Sequence, residues 1–250
     1  MLRAIAERLS ARLVLRRRLP RQFGGGPVLV SAAGGLKYLV RPLGAVDPML
    51  LRVAERFVQV NTCVWDIGAN VGLFTFAAAA RAGRGGRVFA LEADNWCVAL
   101  LRRTARLGGD RAPVTVISAA VAENPGIREF QIAARARASN ALRGYGHSQM
   151  GGVAEMQTVI SVSLDWLAGF LPPPQVLKID VEGAEAEVLR GATALFSTCR
   201  PIVLCEVARV NVAEVSEFLL SRGYALFDAD SADMTGSLPR ATLNTLCIPR

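Results

Sequence analysis

From residue 62 onward, short continuous apolar runs alternate with longer amphipathic stretches. Cys63-Val64-Trp65 leads into Asp66, and 87–92 (RVFALE), 114–118, 176–180 and 201–207 repeat the form. Such runs, bounded by glycine, proline or acids, predict strands buried on both faces. Between them, 70–82, 94–107, 184–196 and 211–222 predict helices. The alternation predicts an α/β fold, a mostly parallel sheet with helices on both faces. Residues 224–228 and 242–248 have no helix between them and predict a closing antiparallel hairpin at the sheet edge.

The flanking patterns differ. Leu2, Ile5, Leu9 and Leu13 share one face of a helix predicted over 2–18, with arginines elsewhere. Such a helix either docks on its own domain or lies on an anionic membrane surface as a peripheral contact. Residues 28–32 and 36–41, around Gly34-Gly35, predict a hairpin. Asp47 reads as an N-cap with Pro48 at the first helical position, for a helix to about 57. Residues 126–132 and 157–163 predict two further strands, and the prolines 172–174 stop a short helix that starts at Leu164. Residues 134–156 have no clear period and predict an irregular insertion. This insertion is expected to form a mobile wall of the substrate site, offering Asn140, Tyr145, His147 and several arginines. The chain thus divides into an arm (1–22), a hairpin-and-helix cover (23–60) and a main domain (61–250).

Composition narrows the function. The chain has 250 residues, 52% of them hydrophobic, enough for a full core. No apolar run approaches the ~18 residues of a membrane span, and no secretory signal is visible. The net charge is +8, but residues 1–22 hold seven arginines against one glutamate. The rest of the chain carries only +2, so the charge gives no argument for a nucleic-acid partner. Five cysteines lie without C-x-x-C spacing, and His147 is the only histidine, so no zinc site is expected. The odd count of cysteines and the lack of a signal predict a cytoplasmic protein.

The chemistry concentrates at the ends of the predicted strands. In CVWDIGANVG, 63–72, Gly68, Asn70 and Gly72 crowd between a strand and a helix. The glycines admit a ligand where a Cβ would collide, and N–H groups at the helix start are expected to face it. Asn70 stands where a dinucleotide loop has its second glycine, so a pyrophosphate fits poorly. Glu92 ends the second strand, 26 residues after Asp66, and suits two ribose hydroxyls. LKIDVEGAE, 177–185, places Asp180 at a strand end, Glu182 in the loop and Glu185 in the first helical turn, where a structural role is expected. Glu206 ends the next strand in the same way.

DIGANVGLFTF, FALEAD, LKIDVEGAEAEVLRGA and PIVLCE, in this order and spacing, resemble the FkbM family of S-adenosylmethionine (SAM)-dependent methyltransferases. The resemblance covers about residues 45–250. It implies a class I SAM-methyltransferase fold, Rossmann-like and usually seven-stranded, that moves a methyl group to a hydroxyl oxygen. It implies that Asp66, Gly68, Asn70 and Gly72 hold the methionine end of S-adenosyl-L-methionine and that Glu92 holds the ribose. Asp180 and Glu182 would face cofactor and acceptor, a small molecule, sugar or glycolipid. One departure stands out. Many class I enzymes have an acid after the third strand that contacts adenine, and here the segment is Ser118-Ala119-Ala120. No N-P-P-Y motif of amino-methylating enzymes is present either.

A hydroxyl acceptor calls for a base. Asp180 is the first choice, because its strand should face the methyl group, with Glu182 and Glu206 as alternatives. No metal is assigned, although the same carboxylates suit a divalent cation. Two other readings remain open: a non-catalytic SAM-fold binding module, and an NAD-dependent oxidoreductase, which would require the missing G-x-G-x-x-G loop.

Overall fold

The computed structural model describes residues 13–134, 137–146 and 152–250. The chain begins with β1 (Val14–Arg18) and β2 (Pro27–Ser31), an antiparallel pair with Leu15 opposite Val30. This corrects two expectations. Residues 14–18 are strand, not the end of a helix, and the rest of the expected helix lies outside the described residues. The hairpin partner of 27–31 is 14–18, not 36–41. Within that stretch a single helical turn forms instead, α1 (Lys37–Val40). Local pattern makes 36–41 resemble a strand, but β2 pairs with β1 alone, and its Leu29 N–H donates to the Thr104 hydroxyl at 3.1 Å.

α2 (Pro48–Phe57) starts as expected. The Asp47 carboxylate accepts the Leu50 N–H at 3.3 Å, and Pro48 fills a position whose N–H has no helical partner. Next come β3 (Cys63–Ile67), α3 (Leu73–Ala82), β4 (Arg87–Glu92), α4 (Asn95–Arg106) and β5 (Val114–Ser118). Then follow β6 (Ala120–Val121), β7 (Gly126–Ala133), β8 (Ala141–Leu142), β9 (Val153–Val162) and α5 (Leu164–Ala168). The chain closes with β10 (Val176–Ile179), α6 (Glu185–Arg190), α7 (Thr193–Thr198), β11 (Ile202–Glu206), α8 (Val212–Ser221), β12 (Tyr224–Asp228) and β13 (Asn244–Pro249). The single helix expected over 184–196 is two, with the break at Gly191. A Cβ there would come within 2.7 Å of the Ala122 carbonyl oxygen, so the corner between the two helices leaves no room for a side chain.

The main sheet is mixed, with strand order β12-β13-β11-β10-β3-β4-β5. β3, β4, β5, β10 and β11 pair in parallel, and β13 runs antiparallel to both its neighbours. Strand alternation sorts side chains into two cores. Val64, Val88, Ala90, Val176 and Leu204 pack with α2, α3 and α4 on one face. Trp65, Ile67, Phe89, Leu177 and Val203 pack with α5 to α8 on the other. Each fully buried large apolar side chain contributes about 1.5–3 kcal/mol.

The expected irregular insertion is more regular than its sequence pattern. β7 and β9 pair antiparallel over eight register positions, and with β6 and β8 they form a second sheet of order β6-β9-β7-β8. Its solvent face carries Ile127 and Ile160 opposite one another, both exposed, and the expected strand over 157–163 extends back to Val153. Among the described residues, no helix is long and apolar enough to cross a membrane.

Candidate active site

Asp66 and Lys178 face each other across the β3–β10 pair, and both are buried. The Lys178 ammonium lies 3.2 Å from Asp66 Oδ1 and 3.2 Å from Asp180 Oδ2, and donates to the Gly68 carbonyl at 2.9 Å. Burial disfavours the ammonium, but Asp180 and Asp66 outweigh it and hold Lys178 above its ordinary pKa. Asp66 Oδ2 accepts the Thr75 hydroxyl at 2.5 Å. Asp66 is therefore enclosed, and it braces the glycine loop rather than lining the cleft. Lys178 stands inside the LKIDVEGAE motif, but no sequence pattern tells a buried bridging lysine from a surface one.

Gly68 has φ +74°, and a Cβ there would lie 1.8 Å from the Asp180 carbonyl oxygen, so no other residue fits. Gly72 does not reach the cleft. It starts α3 in a left-handed conformation, and a Cβ would strike Leu101 and Phe76 at 2.6 Å. Four amides of the loop are already engaged, whereas Leu73 and Phe74, at the helix start, line open space. Gly68 and Ala69 donate to the Leu91 carbonyl at 3.0 and 3.1 Å, Asn70 donates to Glu92 Oε2 at 2.7 Å, and Gly72 donates to the Ala69 carbonyl at 2.9 Å.

A cleft runs along the carboxyl ends of these strands, in two halves that share Gly68, Asn70, Asp180 and Glu182. The first half holds Glu92 between Leu91 and Ala93, with Ala119, Ala120, Phe130 and Leu142 as apolar walls. Glu92 accepts one backbone N–H on each oxygen, from Asn70 and from Asp94 at 2.8 Å. Burial raises its pKa to about 7, against the lowering effect of those two bonds. A partly apolar slot beside a buried acid with lone pairs to spare can take a nucleoside. Arg137 and Asn140 also line this half, and both donate to Asp94 Oδ2, at 2.6 and 2.9 Å. The role of Asp94 as N-cap of α4, accepting the Trp96 N–H at 2.9 Å, is the kind of local signal a sequence shows. Its long-range partners are not.

The second half gathers the expected catalytic acids. Asp180, Glu182 and Glu206 each bring an oxygen within 4.8 Å of the others. Burial, then the neighbouring carboxylates, raise Glu182 to about 8. Burial, then Asp180, raise Glu206 to about 7. Glu182 sits at φ +52°, a backbone conformation that non-glycine residues rarely hold. Such a trio can take up a proton near neutrality, or offer oxygen ligands to a divalent cation. Glu185 is structural, as expected. It is buried and accepts the Gly183 N–H at 2.6 Å and the Asn211 amide at 2.7 Å, tying the loop after β10 to the segment after β11. His147 lies outside the described residues. Gly34, Lys37, Tyr38 and Asp47 wall this half, a contribution the sequence did not announce.

The comparisons agree with this geometry. The profile of the Methyltransferase FkbM domain matches residues 66–226. The hexuronic acid methyltransferase AglP of Haloferax volcanii is 28% identical over 172 residues, which span 68% of this chain and 66% of that protein. The crystal structure of a methyltransferase FkbM from Methylobacillus flagellatus superposes with TM-score 0.50 and 16% identity, over 75% of this chain and 43% of that one. Pyrococcus horikoshii TYW2 in complex with MeSAdo superposes with TM-score 0.50 and 11% identity, over 95% and 72%. At such identities these structures share the fold alone. The family match covers the glycine loop, Glu92 and all three clustered carboxylates, and the chain belongs to the FkbM family of SAM-dependent methyltransferases.

Proposed function

We propose that this chain transfers the methyl group of SAM to a hydroxyl oxygen of a sugar or similar polyhydroxylated molecule. The observation that carries the reading is the carboxylate trio beside a nucleoside-shaped slot. The sheet order and the single reversed strand support reading the fold as the Rossmann-like class I arrangement. The curated relative's name, a hexuronic acid methyltransferase, supports a sugar acceptor.

Bound in the cleft, the cofactor supplies an activated methyl on a sulfonium. Glu92 would hold the ribose hydroxyls, and Gly68 and Asn70, which line both halves of the cleft, would contact the tail. The remaining tasks for the protein are alignment and proton removal. Asp180 already holds the Lys178 ammonium. Among the described residues, Glu182 and Glu206 have no cation within ion-pair distance, and both titrate near neutrality. The pair would therefore take the acceptor's hydroxyl proton, while Asp180, paired with Lys178, keeps the loop in place. Sequence alone favoured Asp180 as the base, and the Lys178 contact moves the proposal to its neighbours.

The test is methyl transfer from labelled SAM to a panel of neutral hexoses, hexuronic acids and glycolipids. The expected result is label in an ether linkage to one of them, lost in Glu182→Gln or Glu206→Gln. Label in an ester or on nitrogen would overturn the hydroxyl reading. Calorimetry with S-adenosylhomocysteine and NAD separates the alternatives: NAD binding alone would point to an oxidoreductase. Binding of S-adenosylhomocysteine without transfer to any acceptor would favour a binding module.

A further inference from the structure

The amino-acid tail of SAM carries both an ammonium and a carboxylate, and the half of the cleft beyond Asn70 is unevenly equipped for them. Asp47, Asp180, Glu182 and Glu206 line it, so acceptors for an ammonium abound. Donors for a carboxylate are fewer: the backbone N–H groups of Leu73 and Phe74 at the start of α3, and a cation to pair with them. The glycine-loop amides of Gly68, Ala69 and Asn70 are committed to Leu91 and Glu92. Lys178 is buried and engaged by three oxygens. Among the described residues lining this half, the remaining cation is Lys37. We propose that Lys37 binds the carboxylate of the cofactor's tail. The inference rests on the cofactor occupying this cleft with its ribose at Glu92.

The local structure places Lys37 for this. The turn before α1 packs directly on the glycine loop: a Cβ on Gly34 would come 2.5 Å from Val71 Cγ1 and 3.1 Å from Asn70 Oδ1. Tyr38, next in sequence, is buried and anchors α1. Between these two fixed points Lys37 stands at the rim with its side chain 46% exposed. Its ammonium lies 3.8 Å from Asp47 Oδ2, too long for a hydrogen bond. Asp47, fixed by capping α2 through its other oxygen, thus steers the ammonium without using up its three donors. Lys37 precedes the residues the family profile matches, so it belongs to this chain's own cover.

Two ligands isolate the contact. S-adenosylhomocysteine has the amino-acid tail, and 5′-methylthioadenosine lacks it but keeps the nucleoside. Calorimetric titration of full-length wild type, Lys37→Ala, Lys37→Arg and Glu92→Ala with both is the experiment. Lys37→Ala should weaken S-adenosylhomocysteine about 10- to 100-fold, the range of a charge-assisted bond, and leave 5′-methylthioadenosine unchanged. Lys37→Arg should keep most of the affinity. Equal weakening of both ligands by Lys37→Ala, or of neither, would overturn the proposal. If Glu92→Ala weakens both ligands while Lys37→Ala spares both, the ribose reading stands and this inference falls. Failure of the wild type to bind S-adenosylhomocysteine would remove both.

Discussion

Arg137 donates to Asp94 at 2.6 Å across 43 residues of sequence, and this contact pins the start of the insertion beside the acid that faces the nucleoside slot. The insertion therefore bounds the nucleoside half of the cleft. Arg137→Ala is expected to weaken S-adenosylhomocysteine about tenfold, since a charge-assisted bond to a buried acid is lost. An unchanged dissociation constant in the folded variant, with a raised KM for the acceptor, would return the insertion to the acceptor site.

Glu92→Ala should cost more than a ribose contact. Glu92 also accepts the Asn70 and Asp94 N–H groups, so its loss leaves the loop amide of Asn70 without its acceptor. Cofactor affinity should fall by about 1.5–3 kcal/mol, with faster amide exchange at Asn70. Weaker binding with no change in exchange would limit Glu92 to the ligand.

Lys178→Met should destabilise the fold by about 3–5 kcal/mol, because Asp66 is fully buried and would lose its counter-ion. Urea unfolding measures this. Asp66→Asn in the same background should recover part of the loss, and a double variant no better than the single would contradict the pairing.

The pH dependence has a defined sign. Glu182 and Glu206 act as base only when ionised, so kcat should rise with pH through about 7 to about 8. Stability should move the other way. These two carboxyls and Glu92 are raised from an ordinary value of 4.5, so the folded chain holds protons that the unfolded chain releases. Stability from these groups is fullest below about 4.5 and declines as pH climbs toward 8. Glu182→Gln should flatten that decline in melting temperature, and an unchanged slope would count against a raised Glu182.

Much of this was legible in the sequence, for definite reasons. Strand-length apolar runs ending in Asp66, Glu92, Asp180 and Glu206 place the acids at one edge, because a parallel sheet brings its strand ends together. Asp47-Pro48 and the closing hairpin are local signals and were read correctly. What pattern could not show depends on distant partners. Residues 36–41 are apolar enough for a strand, yet the distant segment 14–18 is the one that pairs with β2. The amides of Gly68, Ala69 and Asn70 are taken by Leu91 and Glu92, partners that no local pattern shows. Lys178 and Lys37 have no distinguishing spacing, and only the fold separates the spent ammonium from the accessible one.

The Lys178 bridge has a consequence for the energetics of ligand capture. One ammonium fastens β3, the glycine loop and the end of β10 together, and the loop amides are bonded to β4 as well. The loop is thus immobilised while the chain folds. Little conformational entropy is left for the cofactor to remove at this wall, so its association there is that of a rigid surface.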